Sequence, residues 1–370
     1  MIADARVVLA VTGGIAAYKA ADLCSRLVQA GAVVDVVVTE NARRFVQPLT
    51  FNALTRRPVH ADAWEPWTPE RAGHVTLAAE ADLLLVAPAS ANAIARLALG
   101  LAPDLLGTIA LATAAPLLLA PAMEHHMWNH PATSAHVATL RDRGAAFVGP
   151  DAGRLASGAA GDGRLAILDG AAALLGRNGP LAGRTVVVTA GGTHEPIDPV
   201  RFVGNRSSGR MGVAIARALR DRGAVVRLVC GPTSVPLPAG MDTTRVATAL
   251  AMQTAVERAI DGADGLVMAA AVADFRPDAA ADRKLKKQPG QDELVLRLVR
   301  NPDILAGIDR PGLLKVGSAA ETEDPITNAE AKLRAKGLAM IVANDAVATI
   351  GQPASQATFL FPDWPPEAHP

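Results

Sequence analysis

Two stretches of this 370-residue chain end an apolar run in the same way. Val7 to Ala17 (VVLAVTGGIAA) and Thr185 to Glu195 (TVVVTAGGTHE) each pass from β-branched residues into a hydroxyl residue and paired glycines. Gly13-Gly14 and Gly191-Gly192 let backbone approach an anion at a helix start, the chemistry of a phosphate site in an open α/β sheet. The second half surrounds its glycines with donors. Arg201, Asn205, Ser207-Ser208-Gly209 and Arg210 gather guanidinium, amide and hydroxyl groups where a helix begins, which suits a polyanion. Lys284, Lys286 and Lys287 follow an apolar strand end, and Lys332 and Lys336 recur at helical spacing. Compact ammonium groups around a triphosphate stabilise the charge that builds as pyrophosphate departs. In the first half, Ser90 and Asn92 stand just past the apolar run of DLLLVAPASAN, offering a hydroxyl and an amide to a phosphate or a flavin ring edge.

Those groups need elements to hold them. The first half predicts strands at Arg6 to Val11, Val33 to Thr39, Ala81 to Ala87, Pro116 to Ala120 and Ala145 to Val148, with helices near Ala16 to Ala30 and after Ser90. A Pro-rich excursion through Trp64 and Trp67 interrupts them. The second half predicts strands at Thr185 to Thr189, Ala224 to Cys230, Gly265 to Ala269, Leu313 to Val316 and Met340 to Ala343, and a helix over Gly209 to Arg222. Strands alternating with helices predict an α/β fold: two doubly wound, mostly parallel-sheet, Rossmann-like domains with ligands at the carboxyl ends of the strands. The stretch GAAALLGRNGPLAG, from Gly170 to Gly183, reads as a helix end and linker, dividing the chain into domains 1–176 and 181–370. The terminal FPDWPPEAHP is expected to fray.

Composition excludes several classes. Half the residues are hydrophobic, 19% are charged and the formal net charge is zero, so no long-range field favours nucleic acid or an anionic membrane. Cys24 and Cys230 lie in different halves without redox or metal spacing. No signal peptide is visible and a cytoplasmic address is expected. The apolar stretch Leu105 to Met123 contains Pro116 and Pro121, and reads as a buried helix followed by a buried strand rather than a membrane span. Neither glycine loop has the GxGxxG spacing of a dinucleotide site; Glu40, just past Thr39, leaves that alternative open for the first half only. His125, His126 and His130 read as rim histidines before metal ligands, because adjacent helical positions diverge and no third ligand is evident.

Four motifs in order, Gly73-His74-Val75-Thr76-Leu77, DLLLVAPASAN, PAMEHHMW from Pro121 to Trp128, and RLASGAAGDGR from Arg154 to Arg164, resemble the flavin-dependent cysteine decarboxylases over about Arg6 to Leu168. The resemblance implies FMN held by Gly13, Gly14, Thr39, Ser90 and Asn92, with His74 beside the reacting flavin and substrate. Two positions depart from that family. Glu124 stands where it has an asparagine that holds the substrate carboxylate, and Ser157 where it has a proton-donating cysteine. A carboxylate repels another unless it is protonated or turned away, and a hydroxyl is a weaker acid than a thiol.

The second half, with AAAVADFRP, Lys284, Asn301-Pro302-Asp303-Ile304, GSAAET, Lys332, Lys336 and Ala343-Asn344-Asp345, resembles bacterial phosphopantothenate-cysteine ligase from Gly183 to about Leu360. Together the halves resemble the bifunctional enzymes of coenzyme A biosynthesis. That resemblance implies CTP with Mg²⁺, activation of the phosphopantothenate carboxylate as an acyl-cytidylate, and attack by the cysteine amine. It gives Asn205 the acyl-cytidylate, Arg201 the substrate anions and Lys284 the triphosphate. Asp274, Asn301, Pro302, Asp303, Ile304, Lys332 and Lys336 would contact the nucleotide, and Ser318 replaces the family's phenylalanine near the base. Metal ligands are unassigned. The partners implied are 4'-phosphopantothenate, cysteine and CTP, and a homo-oligomer, since the family's flavin halves trimerise and its ligase halves pair. Two alternatives stay open for the first half: oxidative decarboxylation only, or a purely regulatory flavin-binding role.

Overall fold

Runs of Val, Leu and Ile that alternate with amphipathic segments build two sheets, one in each of the units Met1–Asn178 and Gly179–Pro370. The structure, a computed structural model, describes residues 2–62, 64, 73–149, 163–238, 241–286, 293–321, 324–345 and 356–369.

In the first unit, β1 (Arg6–Val11), β2 (Val33–Val38), β3 (Val59–His60), β4 (Leu83–Ala89), β5 (Leu117–Pro121) and β6 (Ala146–Phe147) form a sheet of order β3-β2-β1-β4-β5-β6, parallel throughout. Its helices are α1 (Ala17–Gln29), α2 (Pro48–Thr55), α3 (His74–Glu80), α4 (Ala91–Leu99), α5 (Leu105–Ala112), α6 (His125–Trp128), α7 (Pro131–Asp142) and α8 (Gly163–Gly176). Alternate residues of β1 face opposite ways. Val7 and Leu9 join Leu23, Leu27 and Phe51 on one side, and Val8 and Ala10 join Leu77, Ile94 and Ile109 on the other. Burial on both faces explains why these strands read as continuous apolar runs. Strand order reverses between β1 and β4, the place where a doubly wound sheet binds its ligand at the carboxyl ends. The stretch from Leu105 to Met123 divides into α5 and β5.

The second unit contains β7 (Thr185–Ala190), β8 (His194–Pro196), β9 (Phe202–Gly204), β10 (Val225–Cys230), β11 (Asp242–Arg245), β12 (Gly265–Met268), β13 (Phe275–Pro277), β14 (Leu298–Arg300), β15 (Leu314–Glu321), β16 (Met340–Asp345), β17 (Ala357–Leu360) and β18 (Glu367–His369). Its helices are α9 (Arg210–Arg220), α10 (Ala249–Ala259), α11 (Ile304–Gly307) and α12 (Pro325–Ala335). The main sheet runs β11-β10-β7-β12-β15-β16-β17-β18, parallel through β16 and antiparallel beyond it. The reversal point lies between β7 and β12, so both glycine turns sit where a doubly wound sheet binds its ligand.

Three features differ from expectation. The tail does not simply fray: Glu367–His369 pairs with β17 as an edge strand, which tolerates Pro366 just before it. β15 continues five residues past the expected Val316, through Gly317, Ser318, Ala319 and Ala320 to Glu321, and pairs with β16 as far as Glu321↔Asp345. Two short hairpins, β8 with β9 and β13 with β14, lie outside the parallel pattern.

Candidate active site

The end of β7 is tied to the end of β12 by a hydroxyl. Thr189 Oγ1, fully buried, accepts the amides of Ala269 at 3.1 Å and Ala270 at 3.0 Å, and Thr193 Oγ1 accepts that of Ala273 at 2.9 Å. Between these two threonines Gly191 adopts a φ of +83°, and a Cβ on it would meet the Pro232 carbonyl oxygen at 2.6 Å. A left-handed residue packed against backbone accepts only glycine. The β8–β9 hairpin then returns the chain so that Asn205 follows Gly204 over the turn, its Nδ2 donating to the Ala271 and Val272 carbonyls at 3.2 and 3.4 Å.

These pieces wall a cleft of about 930 Å³. Its lining includes Arg206, Ser207, Ser208 and Arg210 at the start of α9, together with Asn301, Asp303, Lys332 and Lys336. Asp303 accepts the Ala306 amide at the start of α11 and pairs with Lys336 Nζ at 2.8 Å. Burial pushes the Asp303 carboxyl up, but Lys336, the Ala306 amide and Arg300 together hold it below the usual range. Asn301 is buried; its Nδ2 donates to the Ala273 carbonyl at 2.7 Å and its Oδ1 accepts from Arg276 at 3.0 Å. Asn301 therefore locks two cleft walls together.

The structure gathers Asn205, Asp274, Asn301, Pro302, Asp303, Ile304, Ser318, Lys332 and Lys336 around this cleft. It does not bring Arg201 or Lys284 there. Arg201 grips the buried carboxylate of Asp198 at 2.5 Å and donates to the Leu285 carbonyl at 2.8 Å, so its guanidinium anchors a neighbouring segment. Arg201 first, then the Val200, Leu285 and Arg201 amides, hold the Asp198 carboxyl far below the carboxylate range against its burial. Lys284 lines a separate hollow with Asp282 and Lys286. Lys287 lies outside the described residues. Thr189, Thr193 and Asp198 were missed as site builders. The only signal for Asp198 was its three-residue spacing from Arg201.

The first unit repeats the hydroxyl tie. Thr12 Oγ1 donates to the Pro88 carbonyl at 2.7 Å and accepts the Ser90 amide at 3.0 Å, joining the ends of β1 and β4. A Cβ on Gly13 would meet Asn41 Cβ at 2.5 Å, whereas Gly14 faces open space, a cradle suited to a phosphate. Ser90 caps α4, Asn92 is exposed on its first turn, and Thr39 Oγ1 donates to the Val11 carbonyl at 3.3 Å. His74 opens α3 behind Gly73. Glu124 caps α6: it accepts the His126 and Met127 amides at 2.7 and 3.3 Å and meets His126 Nδ1 at 2.9 Å. His126 foremost holds this carboxyl below its usual value, so Glu124 is ionised and turned toward its own helix. His125, His126 and His130 are exposed, and Ser157 lies outside the described residues.

Two family models match: "Flavoprotein" over residues 1–170 and "DNA/pantothenate metabolism flavoprotein C-terminal domain" over residues 181–367. The coenzyme A biosynthesis bifunctional protein CoaBC of Bacillus subtilis is 44% identical over 375 residues, covering 98% of this chain and 92% of that one. The chain belongs to the bifunctional coenzyme A biosynthesis family. The CoaBC protein of Mycobacterium bovis is 46% identical, with 92% and 85% covered. A crystal structure of a CoaBC C-terminal domain aligns at 38% identity and a TM-score of 0.44, over 51% of this chain and 87% of that one. As a member of the family, the chain is an enzyme of coenzyme A biosynthesis, and its flavoprotein half supersedes the dinucleotide reading that Glu40 left open. Among the described residues no helix is long and apolar enough to cross a membrane.

Proposed function

We propose that the second unit joins 4'-phosphopantothenate to cysteine using CTP, through an acyl-cytidylate, and that the first unit decarboxylates the resulting 4'-phosphopantothenoylcysteine with FMN. The cleft carries the ligase reading. It sets hydroxyls and guanidiniums at a helix start against a nucleotide wall of Asn301 to Ile304, Lys332 and Lys336, the arrangement a substrate with anionic and base ends requires. Asn205, fixed by two carbonyls at the mouth of the turn, stabilises the acyl-cytidylate. Lys284, which lines a separate hollow in this structure, is assigned to the triphosphate by the family resemblance. Arg201 serves substrate anions indirectly, by holding that anchor. Mg²⁺ would enter on the triphosphate, since this cation keeps several waters and is held chiefly by substrate phosphates.

In the first unit, Gly13, Gly14, Ser90 and Asn92 hold the FMN phosphate and ring edge, with the open space at Gly14 supporting the fit. When bound, FMN takes electrons from the substrate thiol and returns them. His74 moves a proton at the substrate. Glu124, spent as a helix cap, leaves the substrate carboxylate to other donors. The weak acidity of a serine hydroxyl favours a second reading in which Ser157 halts the reaction at oxidative decarboxylation.

The chain works as a cytoplasmic homo-oligomer. An apolar hollow of 720 Å³ lies on the sheet face beside α9, lined by Met211, Val267, Val316, Val342 and Phe359, and it offers a pairing surface for the ligase halves. Ile15 and Tyr18, both more than half exposed, flank Gly14 and support flavin sites completed by a second copy.

Pyrophosphate release that requires CTP, cysteine and 4'-phosphopantothenate, and that is lost in Lys284→Ala, is the expected result; absence of release with CTP overturns the ligase reading. Synthetic 4'-phosphopantothenoylcysteine supplied to the flavin-loaded protein should yield carbon dioxide and 4'-phosphopantetheine, whereas an enethiol product favours the second reading.

A further inference from the structure

Asn344 is a polar side chain that the ligase cleft buries and the reaction above leaves without a task. It sits near the end of β16 opposite Ala320 of β15, and it lines the cleft with Ala320 and Ser318. Ser318 and Ala320 are small and exposed, so they leave room for a ring beside it. Asn344 itself is only 6% exposed, and its Oδ1 is buried with no hydrogen-bond partner among the described residues. Buried acceptors of this kind are ordinarily satisfied, and one that the protein leaves open at a cleft wall is satisfied by what enters the cleft.

The missing partner must be a donor. Ionised phosphate oxygens only accept, so Oδ1 cannot face a triphosphate. β16 also stands three strands from β7, about 14 Å across the sheet at roughly 4.8 Å per strand, away from the helix start that suits anions. The donors left on a nucleoside triphosphate are the exocyclic amine of the base and the ribose hydroxyls.

Resting on the ligase reading, we propose that Asn344 determines nucleotide specificity: its Oδ1 accepts a hydrogen bond from the exocyclic amine of the base. The site then selects an amino-pyrimidine over its oxo counterpart, because the carbonyl of uracil would set acceptor against acceptor.

The test compares CTP, UTP and 2'-deoxy-CTP as substrates for pyrophosphate release by the full chain and its Asn344→Leu variant. The variant should lose about tenfold in kcat/KM with CTP and little with UTP, so the CTP preference collapses. Without nucleotide its melting temperature should match or exceed that of the parent, since an unmet acceptor has been replaced by an apolar group of similar size. The melting shift produced by CTP should shrink. Asn344→Asp, which keeps an acceptor oxygen, should retain the preference for CTP over UTP and serves if the leucine variant does not fold. An unchanged CTP to UTP ratio with a lowered melting temperature makes Asn344 purely structural and overturns the proposal. Loss of discrimination against 2'-deoxy-CTP with the CTP to UTP ratio intact assigns Oδ1 to the ribose and also overturns it. If the parent ligates with no nucleotide, the ligase reading fails separately; the proposal is then judged by the CTP and UTP melting shifts, and equal shifts in the parent overturn it.

Discussion

Thr12 and Thr189 perform the same task in different surroundings. Each hydroxyl closes the gap between two neighbouring strand ends and so fixes the turn in which the paired glycines lie. Thr189→Val keeps the shape but strands two amides, and it should cost about 1–3 kcal/mol in urea unfolding while lowering ligation. Asp198 gives a pH signature. Its folded-state pKa lies below its unfolded value, so its stabilising contribution is complete above about pH 4 and drains away as pH falls toward the folded value. The difference in urea midpoint between the parent and Asp198→Asn should therefore be constant at neutral pH and narrow below about pH 4. Residue chemistry was legible where it recurred in a pattern: the glycine pairs and the donors before α9 all lie at strand ends. The Arg201–Asp198 pair was not legible, because an arginine near other donors looks the same in sequence whether it faces a ligand or a buried aspartate.

Elements were legible where periodicity governed them, as in β1, β2, β7 and β10, whose apolar runs match the strands to within a residue or two. The hairpins β8–β9 and β13–β14 and the edge strands β17 and β18 were not, because each is only three or four residues long, too short for a period to show. The position of α9 depends on one close approach. A Cβ on Gly212 would meet the Thr189 carbonyl oxygen at 2.6 Å and Ala190 Cα at 2.8 Å, so the helix lies directly on β7. Gly212→Ala improves helix propensity yet should destabilise the protein by about 1–3 kcal/mol through overpacking. By tilting the start of α9 it should also raise the KM for the anionic substrates, measured by the same pyrophosphate assay.

At the scale of the whole molecule, the open sheet face beside α9 predicts assembly. Val342→Asp places a charge among Met211, Val316 and Phe359 and should shift sedimentation toward smaller species without changing far-ultraviolet circular dichroism. Sequence composition hinted at this only weakly, since an apolar strand residue reads alike whether a helix or a second copy covers it. Among the described residues, two buried clusters draw on residues before Asn178 and two on residues after Gly179. Heat should act on such a chain in two steps. Calorimetry is expected to resolve two transitions, with FMN raising one and CTP the other by mass action. Each unit then has its own melting temperature, the CTP-responsive one being that read for Asn344→Leu, and warming can silence one catalytic step while the other still turns over.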